Sequence, residues 1–307
     1  MKKILAFILA TFMIFAFSAC EEEKVSLDIL TLKGPTGIGM VKLMKDNPDY
    51  NFTISSAPDE IVAAVIKGEY DIAAVPINLA STLYAKTNGE LQIAAINTLG
   101  VLYILENGNT INSLEDLEGK KIYATGQGST PEYILNALLE KKGVNCEVEY
   151  LTEHTALVTQ MVSGDILIGM LPEPNVTTAL SSNQDLRIAL DLTEEWNKLF
   201  DYELIQGCII VNKKFAEENE NTLKTFLKDY KASVDYVNAN LDDAATLCET
   251  YEIIPKAALA KKAIPNCNIT YIDGDEMKSM TQGIFNMLYE QNPQSIGGAI
   301  PDEAIYR

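Results

Sequence analysis

The chain has 307 residues, of which 47% are hydrophobic, so it can bury a substantial core and its length favours two lobes over one small unit. Its formal net charge of −19 disfavours binding to nucleic acid and to anionic lipid headgroups, since an acidic surface is repelled by both. No Cys-x-x-Cys pair occurs and the chain has a single histidine, so the sequence predicts neither a metal site nor a cofactor.

The first residues have the three parts of an export signal. Lys2 and Lys3 precede an apolar run over residues 4–17, and the small residues Ser18 and Ala19 follow it. The run is shorter than the roughly 20 apolar residues that a membrane-spanning helix needs. We therefore predict that residues 1–19 are a cleaved signal.

The signal ends at Cys20, which is followed by an acidic stretch. This arrangement resembles a bacterial lipobox, and the resemblance implies that the Cys20 sulfur carries a lipid that anchors the mature protein to the membrane. Residues 20–24 would then form an acidic tether. The alternative, a buried cysteine in a signal anchor, is disfavoured by the length and the flanks of the apolar run. An exported location also permits a disulfide, for which Cys248 and Cys267 are the closest pair in sequence.

After the tether, β-like runs alternate with amphipathic helical segments, a pattern typical of βα units and mainly parallel sheets. From Lys213 onward the pattern is almost continuously helical. The predicted strands are SLDILTL, YDIAAVP, LQIAAINT, KKIYATG, DILIGMLP and LRIALDL. The predicted helices are Ile38–Asp46, Pro58–Lys67, Asn78–Lys86, Pro131–Lys142, Thr155–Ser163, Pro255–Ala263 and Asp275–Tyr289.

An internal repeat divides this region. The segment Glu60–Leu83 aligns without gaps on Ala156–Ala179, and each copy reads as helix, glycine plus acid, apolar strand, proline turn and helix. Any two βα units share some of these features, but here the matched features keep the same order through several elements. The repeat predicts two related lobes.

Small and polar residues follow several predicted strands and open the next helix. In open α/β sheets, ligands bind outside the carboxyl ends of the strands, where helix N–H groups point into a crevice. For each loop alone, ordinary helix capping is the alternative. Together the loops and their neighbours predict the following ligand-binding residues: Gly34, Pro35, Thr36, Gly37, Ser56, Asn78, Thr98, Gln127, Gly128, Ser129, Thr130, His154 and Glu173.

Catalytic motifs are absent from the sequence. It has no Walker loop, no Gly-x-Ser-x-Gly elbow and no His-Glu-x-x-His, and Gly126-Gln127-Gly128 lacks the third glycine of a dinucleotide fingerprint. His154 could act as a base, but a lone histidine at a strand end is more often a polar loop residue or a ligand contact. We therefore expect no catalytic residue and no enzyme activity.

The chain resembles the extracytoplasmic solute-binding proteins of ABC importers, in the NMT1-like group related to nitrate, sulfonate and thiamine-pyrimidine-precursor binders. The segments that carry this resemblance are KGPTGIGMVKLM, AAVIKGEYDIAAVP, INSLEDLEGKKIYATGQGSTPEYIL, MVSGDILIGMLPEPNVTTAL and VNKKFAEENENTLKTFLKDYKASVDYVN. It covers nearly the whole mature chain.

The resemblance implies an α/β, bilobal periplasmic-binding-protein-like fold with a helical C-terminal region. Lobe 1 would comprise residues 25–103 plus 210–307, lobe 2 residues 104–209, and hinge crossings would lie near Leu102–Glu106 and Gln206–Asn212. It also implies that a monomer captures a small organic ligand between the lobes without chemistry, outside the cytoplasm, and delivers it to an ABC permease and its ATPase.

Glu173 bears on the nature of the ligand. A buried carboxylate must be paired or hydrogen-bonded, so Glu173 favours a ligand with N–H, amino or hydroxyl donors over nitrate. The alternative is that Glu173 caps the helix that begins at Pro174.

Two other functions are compatible with the same fold. One is an enzyme resembling the menaquinone-pathway proteins, which are cytoplasmic and therefore conflict with the export signal. The other is a lipoprotein that senses a ligand and reports it to a membrane receptor.

Overall fold

The computed structural model describes residues 26–56 and 58–307. The predicted signal, Cys20 and the acidic tether lie outside these residues. Within the described part of the chain, no helix is long and apolar enough to cross a membrane.

The strands form two mixed β-sheets, each with parallel and antiparallel pairs. The first has six strands in the order β11-β4-β10-β3-β1-β2, in which β1 pairs in parallel with β2 and β3 and the other pairs are antiparallel. These strands are β1 (Leu27–Leu32), β2 (Tyr50–Ser55), β3 (Ile72–Pro76), β4 (Leu91–Leu99), β10 (Ile205–Asn212) and β11 (Ile269–Ile272).

The second sheet has five strands in the order β7-β6-β8-β5-β9. Strand β6 pairs in parallel with β7 and β8, whereas β5 pairs antiparallel with β8 and β9. These strands are β5 (Leu102–Asn107), β6 (Lys121–Thr125), β7 (Glu147–Leu151), β8 (Ile168–Pro172) and β9 (Leu186–Asp191).

Helices connect and cover the strands. They are α1 (Pro35–Ile38), α2 (Val41–Asp46), α3 (Pro58–Ile66), α4 (Ile77–Lys86), α5 (Thr130–Lys142), α6 (His154–Ser163), α7 (Asn175–Ser182), α8 (Leu192–Leu199), α9 (Lys213–Glu218), α10 (Glu220–Ala239), α11 (Leu241–Thr250), α12 (Ala257–Ala263) and α13 (Gly274–Gln291). Short 3-10 helices lie at Leu114–Leu117, Ile264–Asn266, Pro293–Ile296 and Glu303–Ile305.

The two sheets repeat one arrangement. The order β4-β10-β3-β1-β2 in the first sheet corresponds to β9-β5-β8-β6-β7 in the second. The aligned sequence segments coincide with α3-β3-α4 and α6-β8-α7, and the matched glycines Gly68 and Gly164 both have a positive φ, which an L side chain rarely adopts. The repeat in the sequence is therefore also a repeat in the structure.

The predicted α/β fold class and the predicted strands are confirmed. The sequence predicted mainly parallel sheets, but in the described residues antiparallel strand pairs outnumber parallel ones. The chain passes between the sheets at residues 100–101 and 200–204, whereas both predicted hinge ranges lie within strands β5 and β10. The predicted lobe boundaries after 103 and 209 also fall inside these strands, because each strand joins its new sheet directly after the crossing.

The core explains why the two sheets stay together. Strand β3 is buried along almost its whole length, as expected when helices cover both faces of a sheet. One apolar cluster joins Ile210 of the first sheet, Ile104 of the second and Phe285 of α13. Helix α13 contacts both β4 and α5, so the C-terminal helical region connects the two units on one flank.

Candidate ligand site at the junction of the two sheets

Loops from the two sheets meet at one junction, which we define as the loops after β1, β3, β6 and β8. Asn78, at the start of α4, accepts a hydrogen bond through Oδ1 from Thr130 Oγ1, at the start of α5, at 2.8 Å. A Cβ built at Gly34 would lie 3.8 Å from Cδ of Pro174. The carboxyl ends of parallel strands in both sheets therefore face each other, which is where ligands bind in open α/β folds.

The loop after β1 is held by the strands behind it. Asn97 donates through Nδ2 to the Thr36 carbonyl oxygen at 3.3 Å, and Thr98 Oγ1 donates to Asn97 Oδ1 at 3.0 Å. A Cβ at Gly207 would lie 2.6 Å from Asn97 Oδ1, so only glycine permits this close approach. Gly34 has a φ of 86° and donates its N–H to the Ile253 carbonyl oxygen. Thr98 thus supports the loop from a buried position.

The loop after β6 is closed by its own side chains. Ser129 Oγ donates to the Gly126 carbonyl oxygen at 2.7 Å, and the Gly128 N–H donates to Glu132 Oε2 at 2.5 Å. Gln127 and Gly128 are exposed, whereas Thr130 is buried at the junction. The hydroxyl of Ser129 is therefore engaged within its own loop.

His154 opens α6 beside this loop. Its Nδ1 lies 2.6 Å from Thr125 Oγ1, at the end of β6. Burial lowers the pKa of His154 below its ordinary value, although Glu153 opposes that shift. A neutral imidazole bonded to a hydroxyl fits a hydrogen-bonding role better than a fixed positive charge.

Glu173 is 1% exposed and follows β8. Its carboxylate accepts from the Thr177 N–H at 3.1 Å, from Thr177 Oγ1 at 2.8 Å and from Asn266 Nδ2 at 3.4 Å. Burial raises the pKa of the Glu173 carboxyl, while the bonds from Thr177 and Asn266 lower it. Glu173 therefore caps the first turn of α7, the alternative that the sequence left open, and it also links the second sheet to the segment before β11.

The sequence did not identify Asn266 or Tyr103. The Tyr103 hydroxyl donates to the Asn266 carbonyl oxygen at 3.1 Å, and the Glu173 N–H donates to the Val101 carbonyl oxygen at 2.9 Å, beside the first crossing between the sheets. These residues come from distant parts of the chain, and no local sequence pattern predicts that they lie close together.

Ser56 lies apart from the other predicted residues. It lines a pocket of about 210 Å³ between β2 and α3, and no residue described as lining that pocket belongs to the four junction loops. The Ser56 N–H donates to Glu60 Oε2 at 3.1 Å. The predicted residues that the structure does bring to the junction or directly behind it are Gly34, Pro35, Thr36, Gly37, Asn78, Thr98, Gln127, Gly128, Ser129, Thr130, His154 and Glu173.

Lys33 lies in the loop after β1, whereas the two arginines are bonded away from the junction. The Lys33 amino group lies 3.9 Å from the Glu252 carboxylate, and both side chains are exposed. Arg187 bonds Glu106, and Arg307 donates to the Ala216 carbonyl oxygen. Among the described residues, no cluster of three or more His, Cys, Asp or Glu could hold a metal ion.

The cysteines of the described region carry free thiols. Cys146 is half-buried, and Cys208, Cys248 and Cys267 are buried. Burial raises the pKa of the Cys146 thiol to about 11 and that of Cys248 to about 12, so both stay protonated near neutral pH. The pairing of Cys248 with Cys267 that an exported location permits is not formed in this structure.

Several solved structures share this architecture. An ABC transporter from Parabacteroides distasonis aligns with a TM-score of 0.80 and 22% identity, over 92% of this chain and 98% of that chain. The periplasmic aliphatic sulphonate binding protein SsuA from Escherichia coli aligns with a TM-score of 0.72 and 18% identity, over 89% and 90%.

The alkanesulfonate-binding protein SsuA from Xanthomonas axonopodis pv. citri, bound to MOPS, aligns with a TM-score of 0.65 and 15% identity, over 91% of this chain and 96% of that chain. At these identities the likeness establishes the fold. No curated protein sequence matches this chain significantly. A model of the NMT1/THI5-like family matches residues 55–244, which is more than half of the 307 residues. The chain therefore belongs to the NMT1/THI5-like family and has the fold of the ABC-transporter binding proteins it resembles.

Proposed function

We propose that the protein is the solute-binding component of an ABC importer and captures a small organic solute between two lobes. The observation that carries this proposal is the junction itself. Two repeated α/β units bring polar loops from the carboxyl ends of their strands together, with the Asn78–Thr130 hydrogen bond as a direct link. Two of the proteins with the same fold are named as an ABC transporter and as an aliphatic sulphonate binding protein.

Each lobe in this proposal is built on one sheet, and the crossings at 100–101 and 200–204 act as the hinge. A solute that contacts the loops after β1 and β6 at the same time binds the closed arrangement better than the open one. That differential affinity shifts the population toward closure, while each sheet moves as a rigid body. A permease that recognises the closed surface then engages the loaded protein in preference to the empty one.

Solution scattering with a confirmed ligand tests this proposal. A thermal-shift screen of nitrogen heterocycles, vitamin precursors, sulfonates and oxyanions identifies a binder, because a ligand that binds only the folded state raises its stability. We expect the radius of gyration to fall when that binder saturates the protein. Scattering curves that superpose with and without a tightly bound compound would contradict closure.

The signal and the cysteine predicted at the start of the sequence support a proposal on location. We propose that the mature protein lies outside the cytoplasm, as a monomer held at the membrane by lipid on Cys20. Labelled fatty acid should attach to the wild-type protein and be lost in Cys20→Ser, whereas Cys146→Ser, a control at a half-buried thiol, should retain the label. Label that persists on Cys20→Ser would exclude the lipid anchor.

The genomic neighbourhood separates transport from sensing. An importer component is expected beside genes for a permease and an ATPase. A histidine kinase in that position would overturn the transport assignment and favour a ligand sensor.

A further inference from the structure

A segment that belongs to the six-stranded sheet reaches across to the other sheet beside the first crossing. Residues 266–268 come at the end of a short 3-10 helix and lead into β11, which pairs with β4. Cys267 is fully buried in an apolar cluster built from the strands and helices of the six-stranded sheet, which together we call the first unit. The segment is therefore fixed to the first unit.

Asn268 holds the crossing itself. Its Nδ2 donates to the Gly100 carbonyl oxygen at 2.5 Å, and its own carbonyl oxygen accepts from the Leu99 N–H at 3.1 Å. Asn268 has a φ of 44°, a left-handed conformation that asparagine tolerates better than most residues with a side chain. A Cβ built at Gly100 would lie 2.1 Å from Thr193 Oγ1 of α8, so the crossing is also closely packed. Any bend at this crossing has to rearrange these contacts.

Asn266 makes two hydrogen bonds that join the first unit to the five-stranded sheet and its helices, the second unit. Its carbonyl oxygen accepts from the Tyr103 hydroxyl at 3.1 Å, and its Nδ2 donates to Glu173 Oε1 at 3.4 Å. Tyr103 lies in β5 and Glu173 follows β8. Helix α12, which precedes this segment, contacts α7 of the second unit. Because these bonds run between the units, they depend on how the two sheets are oriented.

The bonds of Asn266 occur together with the contact at the junction. In the same structure, Asn78 of the first unit bonds Thr130 of the second. An interaction made in only one of two arrangements raises the population of that arrangement. When more of the ligand-free molecules are already closed, the apparent affinity for a solute that requires closure is higher.

We propose that Tyr103 and Asn266 form a latch that holds the ligand-free protein partly closed, which makes both of them positioning residues for solute capture. The inference rests on the proposed function, because it concerns closure of the same two lobes. Two neutral hydrogen bonds, one of them long, shift the ratio of closed to open molecules by about 10-fold. The latch therefore biases closure without locking it, and a solute can still shift the balance.

Removal of the latch from the ligand-free protein tests the inference. The double variant Tyr103→Phe/Asn266→Ala removes both hydrogen bonds and keeps an aromatic ring at the buried position 103. We expect the ratio of closed to open molecules to fall about 10-fold, because the open arrangement loses nothing by the change. Solution scattering should show a larger radius of gyration than that of the wild type.

Hydrogen exchange supplies the second measurement. The Glu173 N–H donates to the Val101 carbonyl oxygen at the crossing, and the two neighbouring prolines carry no N–H that would mix with its signal. Exchange at Glu173 should become about 10-fold faster in the double variant, because the amide is exposed when the crossing opens.

Asn183→Ala is the matched control. Asn183 is also half-buried and has two hydrogen bonds, from its Nδ2 to the Val162 carbonyl oxygen at 3.1 Å and from the Asp185 N–H to its Oδ1 at 2.9 Å. All of these residues lie in the second unit, so the variant should leave the radius and the exchange at Glu173 unchanged. If the double variant fails to fold, Tyr103→Phe alone should shift both readouts in the same direction, by about 3-fold in the ratio.

Three results would overturn the inference. The first is a double variant with the radius of the wild type, and the second is faster exchange at Glu173 without a larger radius, which indicates local fraying. The third is an equal expansion in Asn183→Ala, which would trace the larger radius to lost stability. Each of them leaves solute capture standing, because every measurement uses ligand-free protein. Solute capture itself fails if the wider screen yields no binder.

Discussion

Two buried carboxylates lie at opposite ends of the five-stranded sheet and differ in what surrounds them. Glu106, 2% exposed, accepts from Thr110 N–H and Oγ1, from the Ile111 N–H and from Arg187 Nη2 at 2.7 Å. Burial raises the pKa of Glu106, but these hydrogen bonds outweigh it and hold the pKa below the ordinary value. Among the described residues the hydrogen-bond partners of Glu173 are neutral, and burial holds its pKa above that value.

This difference separates a structural ion pair from a candidate binding group. Glu106 and Arg187 fix the loop after β5, far from the junction, and satisfy one another. Glu173 lies at the junction and keeps capacity for a further donor. A buried charge is thus informative about function only when its partners are counted.

The largest expected effect comes from removing the partner of Glu106. Arg187→Met leaves that carboxylate buried without its cation, so the free energy of unfolding should fall by about 3 kcal/mol. Urea denaturation measures the change. Arg307→Met is the matched control, because Arg307 has one hydrogen bond to a carbonyl oxygen, and its replacement should cost less than about 1 kcal/mol. Equal losses of unfolding free energy in the two variants would show that the Glu106–Arg187 ion pair contributes no more than the single hydrogen bond of Arg307.

Neutralising each carboxylate should sharpen the contrast. Both oxygens of Glu106 accept from N–H donors, so in Glu106→Gln either orientation of the new side-chain amide would point its NH2 group at a donor. This substitution should therefore cost about 2 kcal/mol. In Glu173→Gln the amide can still accept from the Thr177 N–H and donate to the Thr177 hydroxyl. Its NH2 group then faces Asn266 Nδ2, but the bond lost there is long at 3.4 Å, so stability should stay within about 1 kcal/mol of the wild type.

Urea unfolding of both variants measures this difference. If Glu173→Gln proved as destabilising as Glu106→Gln, the carboxylate at the junction would be a structural requirement. Its proposed role toward a solute would then lose its separate support.

The pH dependence of stability should have opposite signs for Glu106 and Glu173. This effect should be smaller than that of the substitutions above. Glu106 has a lowered pKa, so its stabilisation is present above its unfolded value of 4.5 and is lost as the pH falls through the folded value. Glu173 has a raised pKa, so its stabilisation is present below 4.5 and is lost as the pH rises through the folded value. Melting temperatures of the wild type and of each Gln variant across acidic pH measure both effects. Differences of the same sign would contradict the assignment.

The smallest expected effect concerns the contact between the sheets. Thr130→Val removes the hydrogen bond to Asn78 and should lower the free energy of unfolding by about 1 kcal/mol or less, because neutral hydrogen bonds contribute little net stability. It should also enlarge the radius of gyration of the ligand-free protein. Thr225→Val, which removes an exposed bond within α10, is the control and should leave the radius unchanged. Equal radii in both variants would show that this bond does not hold the sheets together.

The sequence by itself determined much of the fold. Alternating apolar strands and amphipathic helices predicted the α/β class, because burial of one helix face and of whole parallel strands leaves a periodic pattern in the residues. The repeat between Glu60–Leu83 and Ala156–Ala179 predicted two related units, since the same local signals specify the same elements. The sequence also predicted that Asn78 and Thr130 follow strand ends, where ligands bind in this fold class.

Only the tertiary structure decided which residues meet. Strands β5 and β10 each join their sheet immediately after a crossing, and nothing local in their apolar runs distinguishes a strand from a hinge. Asn266 donates a hydrogen bond to Glu173, which lies 93 residues away in sequence, and Arg187 pairs with Glu106 across 81 residues. Such pairings depend on sheet order, and sheet order is set by the packing of the whole chain. That is why the capping role of Glu173 became visible only in three dimensions.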